Sequence, residues 1–379
     1  MSDLSRHTPR NVPKQAATAR TGKTYLVVGG HGFLGSHVVE ALLHRGEDRI
    51  RVLDRAGSAL FSAEVADGRV TFIHGDMLDL ECVKKACQGV DTVFHTAAAV
   101  NFWSDLPFEH DPIYAVNVKG TENVIAGCLA GGVKQLLHTS SSSVVVPHDV
   151  MRRPLVLADE STPYPSAPFL CHYIKTKVEA EQRVREANGR QELLTAAVRP
   201  GGLYGPRDPL ITPTFAAGLP CAGLPETVVD HIYVENVVHA FLLMEQRLVP
   251  GSQVCGQAYF VTNYSDPSPT DQVNERACYE FSTRFARAFG RPLRSAPQSV
   301  LTMLAWMSQQ FTWASRGRLG KHLRGLEKLR PASLALSRGT YYFSHRKATA
   351  DFGYQPLYSA DEGIAITVRH YLRQAAGRS

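Results

Sequence analysis

Apolar residues in this chain follow two alternating rhythms. Short runs of apolar and β-branched residues, bounded by glycine or small polar residues, read as buried strands. Stretches with apolar positions three and four apart read as helices. Strands are predicted at Tyr25–Val28, Ile50–Leu53, Arg69–His74, Asp91–Thr96, Gln135–His138, Leu194–Arg199 and Gln257–Thr262. Helices are predicted at Val38–Leu43, Leu80–Cys87, Tyr114–Ala130, Tyr173–Asn188, Val234–Gln246, Asp271–Phe289, Ser299–Ala314 and Ala360–Arg373. Strand–helix alternation at this spacing predicts an α/β fold built on a doubly wound parallel sheet. No internal repeat or clean linker interrupts it, so a smaller second lobe is expected to be woven in from insertions.

The first strand runs into Gly29-Gly30-His31-Gly32-Phe33-Leu34-Gly35. Glycines at this spacing let the backbone turn tightly and approach a pyrophosphate, with Phe33 and Leu34 between them as further cofactor-binding positions, while the helix that follows offers N–H groups and a positive dipole end. An acid, Asp54, stands 19 residues past Gly35 at the end of the next strand, placed for a ribose diol. Ala97 and Ala98 close the fourth strand, where small residues let a dinucleotide pass. The pattern predicts a Rossmann-type dinucleotide-binding core over residues 23–200. A substrate-binding lobe then occupies most of 201–379, with core elements returning at 234–262. Gly22-Lys23-Thr24 looks like the tail of a phosphate-binding P-loop, but position 17 is Ala17 and the segment precedes the strand.

Composition narrows the classes. The chain has 379 residues, 44% hydrophobic and 20% charged, which suits one large or two intimate globular domains. Its net charge of +6 is spread along the chain with no basic stripe interleaved with aromatics, so no nucleic-acid partner is expected. Seven cysteines without C-x-x-C spacing argue for a reducing compartment, and the fifteen histidines show no metal-ligand spacing, so no metal is expected. No run of eighteen apolar residues exists. Residues 1–22 carry Arg6, Arg10, Lys14 and Arg20 against the single acid Asp3. They read as a disordered basic tail, with a mitochondrial targeting segment as the second reading.

Tyr173 and Lys177 are one helical turn apart on one face. An ammonium beside a phenol favours the phenolate, which makes a tyrosine a general base near neutral pH. A serine cluster, Ser140 to Ser143, closes the fifth strand about 30 residues earlier, and Ser141 can hydrogen-bond a reacting oxygen. Alone, Tyr-x-x-x-Lys is common on solvated helices; behind a dinucleotide loop it reads as catalytic.

From about Thr24 to Tyr371 the chain resembles the extended short-chain dehydrogenase/reductases. The matching stretches are Gly29-x-x-Gly32-x-x-Gly35, Gly75-Asp76-Met77, Val116-Asn117-Val118-x-Gly120-Thr121, Tyr173-x-x-x-Lys177 and Arg199-Pro200. Val229 to Ala240, Tyr341-Tyr342-Phe343-Ser344 and Gly353 to Leu357 are similar to segments of the 3β-hydroxysteroid dehydrogenase family. The resemblance implies an NAD-dependent oxidoreductase acting on a sterol or steroid 3β-hydroxyl. Within the family the likeness is to the branch that oxidises sterol 4α-carboxylates with loss of carbon dioxide. A steroid dehydrogenase/isomerase, or a reductase or epimerase on another substrate, is the alternative, and a non-catalytic dinucleotide sensor is the rival class.

By position, the resemblance makes Tyr173 the proton acceptor and has Lys177 hold the nicotinamide ribose. It makes Ser141 the serine of the site, with Ser140 or Ser142 as alternatives. Asp54 would take the adenosine ribose, Asp76 and Met77 would flank the adenine, and Pro200 would border the cofactor. NADP is the alternative cofactor that Arg55, beside Asp54, keeps open. A homodimer through the Tyr114 and Tyr173 helices is implied as well. Gly201 stands where the family often has asparagine, and the segment from Asp208 to Asp230 is a few residues short.

The apolar stretch Val300 to Met307 is followed by Arg316, Arg318, Lys321, His322, Arg324, Lys328 and Arg330. This is either a solvated face or a peripheral membrane anchor, with apolar and Trp side chains in the lipid interface and basic residues on anionic lipid. The location implied is the cytosolic face of the endoplasmic reticulum membrane or the cytoplasm.

Overall fold

In a computed structural model, which describes residues 19–57, 59–216, 222–264, 277–293, 296–318 and 328–376, eleven strands are present. They are β1 (Tyr25–Val28), β2 (Ile50–Asp54), β3 (Val70–His74), β4 (Thr92–His95), β5 (Gln135–Thr139), β6 (Leu155–Ala158), β7 (Leu194–Pro200), β8 (Gly202–Tyr204), β9 (His231–Tyr233), β10 (Gln257–Val261) and β11 (Tyr341–Phe343). Seven of them form one sheet in the order β10-β7-β5-β4-β1-β2-β3, and every pairing in it is parallel.

A parallel sheet must be covered on both faces, and alternation along the strands supplies both. Tyr25 and Val27 of β1 point into a cluster with Val38, Val39 and Leu42 of the helix Phe33–His44 and Val237 and Phe241 of the helix Val234–Arg247. Leu26 and Val28 point the other way, onto Val83 of the helix Leu80–Cys87, Val124 and Cys128 of Gly120–Gly131 and Val184 of His172–Glu186. Because β4 and β2 lie on opposite sides of β1, the chain reverses its winding there. The resulting crevice at the carboxyl end of β1 is where such sheets bind ligands.

At the opposite end of the sheet, Lys23 is tied to Glu245 at 2.7 Å, and Arg45 bonds Glu245 and Glu47 at 2.8 and 3.0 Å. The lysine that looked like part of a P-loop therefore serves this buried ionic cluster.

The segment expected as one helix from Tyr114 to Ala130 is compound. An α-turn, His110–Tyr114, passes into a π-helical turn, Ala115–Lys119, before the α-helix Gly120–Gly131. The widened turn places Asn117, buried, against the backbone after β4. Four short strands were not anticipated. They pair as β6 with β11 and β8 with β9, outside the main sheet. The lobe adds helices Ile211–Ala216, Cys278–Ala288, Gln298–Ala314, Pro331–Arg338, Arg346–Phe352 and Ala360–Ala376. The tail through position 18, positions 271–276 of the helix expected from Asp271, and Lys321, His322 and Arg324 lie outside the described residues.

The basic segment divides. Arg316 and Arg318 precede the undescribed stretch, whereas Arg330 is 1% exposed and bonds Asp105 at 3.2 Å and also Glu109. Lys328 lies over the Trp103 ring, 5.4 Å from its centroid. Both were expected in a surface patch. Arg330 is instead drawn inside by the acids of the loop after β4, and Lys328 stays exposed while covering Trp103 of the same loop.

Candidate active site

The glycine loop turns as its spacing requires. Gly29 sits at φ +83°, where a Cβ would come within 2.9 Å of Ala97, and a Cβ on Gly35 would lie 2.1 Å from the Gly29 carbonyl. A side chain at either position would push apart the loop, the following helix and the end of β4. The helix Phe33–His44 begins at Gly32 with no side-chain cap, which suits it to receive an anion.

The Asp54 carboxylate, at the end of β2, accepts the His31 N–H at 3.1 Å and the Ala56 N–H at 3.3 Å. The His31 ring packs on Phe72 at 4.7 Å, and its Nδ1 meets the Ala56 carbonyl at 2.9 Å. His31, which the motif leaves as a free position, thus ties the loop to the acid. Arg55 turns to Asp76 at 3.8 Å, and Asp76 also accepts the Leu78 N–H at 2.9 Å. Met77 is buried with its side chain on Gly120. Gly29, Gly32, Phe33, Leu34, Gly35, Asp54, Asp76, Met77, Ala97 and Ala98 therefore border one end of the sheet, and Pro200 ends β7 at the same edge. A glycine-lined turn, an uncapped helix start and an anchored acid at a strand end fit a dinucleotide.

Tyr173, Lys177 and Ser141 meet further along that edge. Tyr173 and Lys177 lie on the buried face of His172–Glu186. Ser141 follows β5 and caps the short turn Ser142–Val145. Of the serine cluster, Ser141 is the hydroxyl near enough to act on the Tyr173 phenol, and it bonds the Ser143 hydroxyl at 2.8 Å, whereas Ser140 lies towards Glu181. Phe102 stands edge-on to the Tyr173 ring, with centroids 4.6 Å apart.

Burial pushes the Tyr173 phenol above its ordinary pKa, and the Ser141 side chain opposes that shift. Lys177 is not among the groups that set it. Its ammonium donates to the Thr139 carbonyl at 2.5 Å. Burial lowers the Lys177 pKa to about 8, against the attraction of Glu181 one turn further on.

Burial works to raise the Glu181 pKa. Arg199 bonds it at 2.6 Å, outweighs burial and holds the carboxyl below its usual range, and Tyr164 adds a bond at 2.5 Å. Near Lys177, the His95 and His138 rings lie tilted with centroids 5.1 Å apart, and burial keeps both neutral. The lysine thus lies in a buried layer in which the one acid, Glu181, is already paired with Arg199.

Asn117 joins these parts. Its side chain accepts the Ala99 N–H at 2.8 Å and donates to the Ala99 carbonyl at 3.0 Å and to Thr176 at 3.1 Å. It fixes the backbone after β4 to Thr176, about one turn into the Tyr173 helix. Its motif was visible in the sequence; its contact with Thr176, 59 residues away, was not. Gly201 has a spatial reason, since a Cβ there would lie 2.4 Å from the Asp230 carbonyl. No group of three or more metal-ligating side chains occurs among the described residues.

Residues 26–295 match the model of the 3-beta hydroxysteroid dehydrogenase/isomerase family. The chain belongs to this family. It is 32% identical over 372 residues to 3beta-hydroxysteroid-dehydrogenase/decarboxylase isoform 1 of Arabidopsis thaliana, covering 92% of this chain and 79% of that one. It is 32% identical over 365 residues to the sterol-4-alpha-carboxylate 3-dehydrogenase, decarboxylating, of Mus musculus, covering 93% and 92%. The 3 beta-hydroxysteroid dehydrogenase/Delta 5-->4-isomerase of Mycobacterium tuberculosis is also 32% identical, over 376 residues, covering 96% and 94%. Among solved structures, the UDP-glucose 4-epimerase of Thermus thermophilus in complex with NAD superposes with a TM-score of 0.64 at 26% identity, covering 92% of this chain and 99% of that one. The family and this fold make the chain an oxidoreductase of the extended short-chain type.

Proposed function

We propose that this protein oxidises a sterol 3β-hydroxyl with NAD, and that its substrate carries a 4α-carboxylate lost as carbon dioxide after oxidation. The observation that carries the reading is the meeting of Tyr173, Ser141 and Lys177 at the strand edge that also bears the glycine loop. The family and the plant and mouse relatives support the substrate class.

Gly29, Gly32, Gly35 and the helix start at Phe33 and Leu34 would hold the pyrophosphate of NAD, and Asp54 the adenosine ribose. Asp76, Met77, Ala97, Ala98 and Pro200 would border it. NAD, when bound, supplies the hydride acceptor. Asp54 disfavours a 2′-phosphate, and Arg55, turned to Asp76, does not offset it.

Tyr173 Oη takes the proton of the 3β-hydroxyl as C3 loses hydride, and Ser141 Oγ donates to the same oxygen. Lys177, one turn from Tyr173 on the same buried face, would hold the nicotinamide ribose, and its positive charge would favour the phenolate. The C3 ketone makes a 4α-carboxylate a β-keto acid. Its C–C bond breaks to release carbon dioxide, and the electron pair passes into the carbonyl as an enolate, which Tyr173 and Ser141 stabilise at oxygen. Protonation at C4 completes the ketone.

The test is incubation with NAD and a 4α-carboxy-3β-hydroxysterol, expected to give NADH, carbon dioxide and 3-ketone in equal amounts. Tyr173→Phe is expected to abolish turnover while NAD still binds, and turnover surviving in that variant overturns the catalytic reading. Oxidation of plain 3β-hydroxy-5-ene steroids with the acid ignored would favour the second reading, a dehydrogenase/isomerase, which the equally similar mycobacterial relative supports.

The helix Gln298–Ala314 bears on location. Val300, Met303, Trp306, Met307, Phe311 and Trp313 are all exposed, and Arg316 and Arg318 follow. No helix among the described residues is long and apolar enough to cross a membrane. This face suits peripheral contact with an anionic lipid surface, in keeping with a sterol substrate and the cytosolic face of the endoplasmic reticulum membrane. A homodimer through the Tyr114 and Tyr173 helices belongs to the same reading and is tested by sedimentation.

A further inference from the structure

The helix His172–Glu186 begins without a cap of its own. Cys171 occupies the capping position in extended conformation and makes no side-chain cap bond. The first helical N–H groups must nevertheless be satisfied when buried. They are satisfied from another part of the chain: Ser104, fully buried in the loop after β4, accepts the His172 N–H on its carbonyl at 2.7 Å and the Tyr173 N–H on its Oγ at 3.2 Å. The Ser104 hydroxyl in turn donates to the Asn101 carbonyl at 2.7 Å. The Leu106 carbonyl takes the His172 ring at 2.9 Å.

The same loop is held from its other side by the lobe. Asp105, next to Ser104, accepts Arg330 at 3.2 Å and Gln309 at 3.0 Å. Glu109 accepts Arg330 too, and its carboxylate also takes the Leu106 N–H at 3.0 Å. Gln309 belongs to the helix Gln298–Ala314, whose largest apolar side chains face outward. Hydrogen bonds from that helix and from Arg330 therefore reach Asp105, the peptide bond joins Asp105 to Ser104, and hydrogen bonds from Ser104 reach the backbone of Tyr173.

We propose that Ser104 is a positioning residue for Tyr173, and that the Asp105–Arg330 pair makes this positioning depend on the seating of the substrate lobe. The proposal rests on Tyr173 being the proton acceptor. Physically, Ser104 fixes the second residue of the helix, which carries the phenol, while Asn117 fixes Thr176 one turn later. These two anchors, about one turn apart, determine where the Tyr173 side chain stands relative to Ser141. Removing the Ser104 hydroxyl frees one of them, and the loop that also presents Phe102 to the Tyr173 ring loosens with it.

The full chain tests this through Ser104→Ala, Ser104→Thr, Arg330→Lys and Tyr173→Phe. Amide hydrogen exchange is read at residues 172–176, the NAD dissociation constant by calorimetry, and kcat and KM with a 4α-carboxy-3β-hydroxysterol and a plain 3β-hydroxysteroid. In Ser104→Ala the Tyr173 amide is expected to exchange faster and kcat to fall on the order of tenfold or more, with NAD affinity kept within about twofold. Ser104→Thr restores both readouts, because its hydroxyl can accept the same N–H. Arg330→Lys keeps the charge but loses the fork that reaches both acids, and lowers kcat in the same direction by less.

Unchanged protection of the Tyr173 amide in Ser104→Ala overturns the proposal, whether or not either sterol is turned over. A fall in kcat that Ser104→Thr does not restore, or that is matched by lost NAD affinity, also overturns it. If Tyr173→Phe stays active, the failure belongs to the reading of Tyr173 as the base. If Tyr173→Phe is inactive and Ser104→Ala is normal, only the role of Ser104 fails.

Discussion

Strand β1 and the helix Gln298–Ala314 are both rich in apolar residues, and they use them in opposite ways. All four side chains of β1 are buried, two on each face of the sheet, and the glycine turn that follows depends on that packing. On the helix the buried side is Leu301, Ala305, Ser308 and Thr312, while Trp306 and Trp313 are 58% and 62% exposed. The strand's apolar surface is consumed by the protein's own core. The helix leaves its largest apolar side chains outside, although burying each would be worth about 1.5–3 kcal/mol. An apolar run read from sequence therefore marks surface to be covered without saying what covers it.

The contrast can be broken most severely at the glycine turn. Gly35→Val would force a side chain onto the Gly29 carbonyl, already 2.1 Å from an added Cβ. NAD binding measured by calorimetry should be lost entirely, and binding near the wild-type constant would show that the turn is not the cradle. The next largest effect lies on the inner side of the outer helix. Leu301 is 5% exposed, and Leu301→Asp should cost roughly 3–5 kcal/mol in urea unfolding.

A smaller effect concerns the cation buried beside the site. The Lys177 pKa falls from 10.5 to about 8, mainly through burial. Below 8 both the folded and unfolded chains hold the proton, and the fold bears the cost of a buried ammonium. Between 8 and 10.5 the folded chain releases its proton first, so stability relative to Lys177→Met should rise with pH, by at most ~3 kcal/mol, and then level off. A flat difference across that window would mean that the ammonium is solvated.

Asp54→Ala should weaken NAD and narrow its advantage over NADP, each by about tenfold, the scale of one charge-assisted hydrogen bond. Unaltered discrimination would place the choice of cofactor elsewhere. The smallest change in folding is expected from Trp306→Asp with Trp313→Asp, within about 0.5 kcal/mol per site. The same variant should lose flotation with anionic liposomes. Equal recovery in the lipid fraction would leave the outward apolar face without a lipid role.

The amino-acid order was sufficient for the parts whose information is local. Seven strands of the main sheet, the glycine turn, and Tyr173 with Lys177 one turn apart all follow from period and spacing, because a buried strand, a left-handed turn and a helix face are each specified within a few neighbouring residues. Strands β6, β8, β9 and β11 have three or four residues each and no measurable period, so they exist only through their partners. In a row of four serines, the one that meets Tyr173 is selected by the way β5 ends against the Tyr173 helix. Arg330 read as part of a charged surface, yet Asp105 and Glu109, more than 200 residues away, draw it inside. Lys177 read as a partner of the phenol, and the Thr139 carbonyl holds it instead. A charge or hydroxyl goes wherever its free energy is lowest, and that depends on groups brought close by the fold, which no local pattern records.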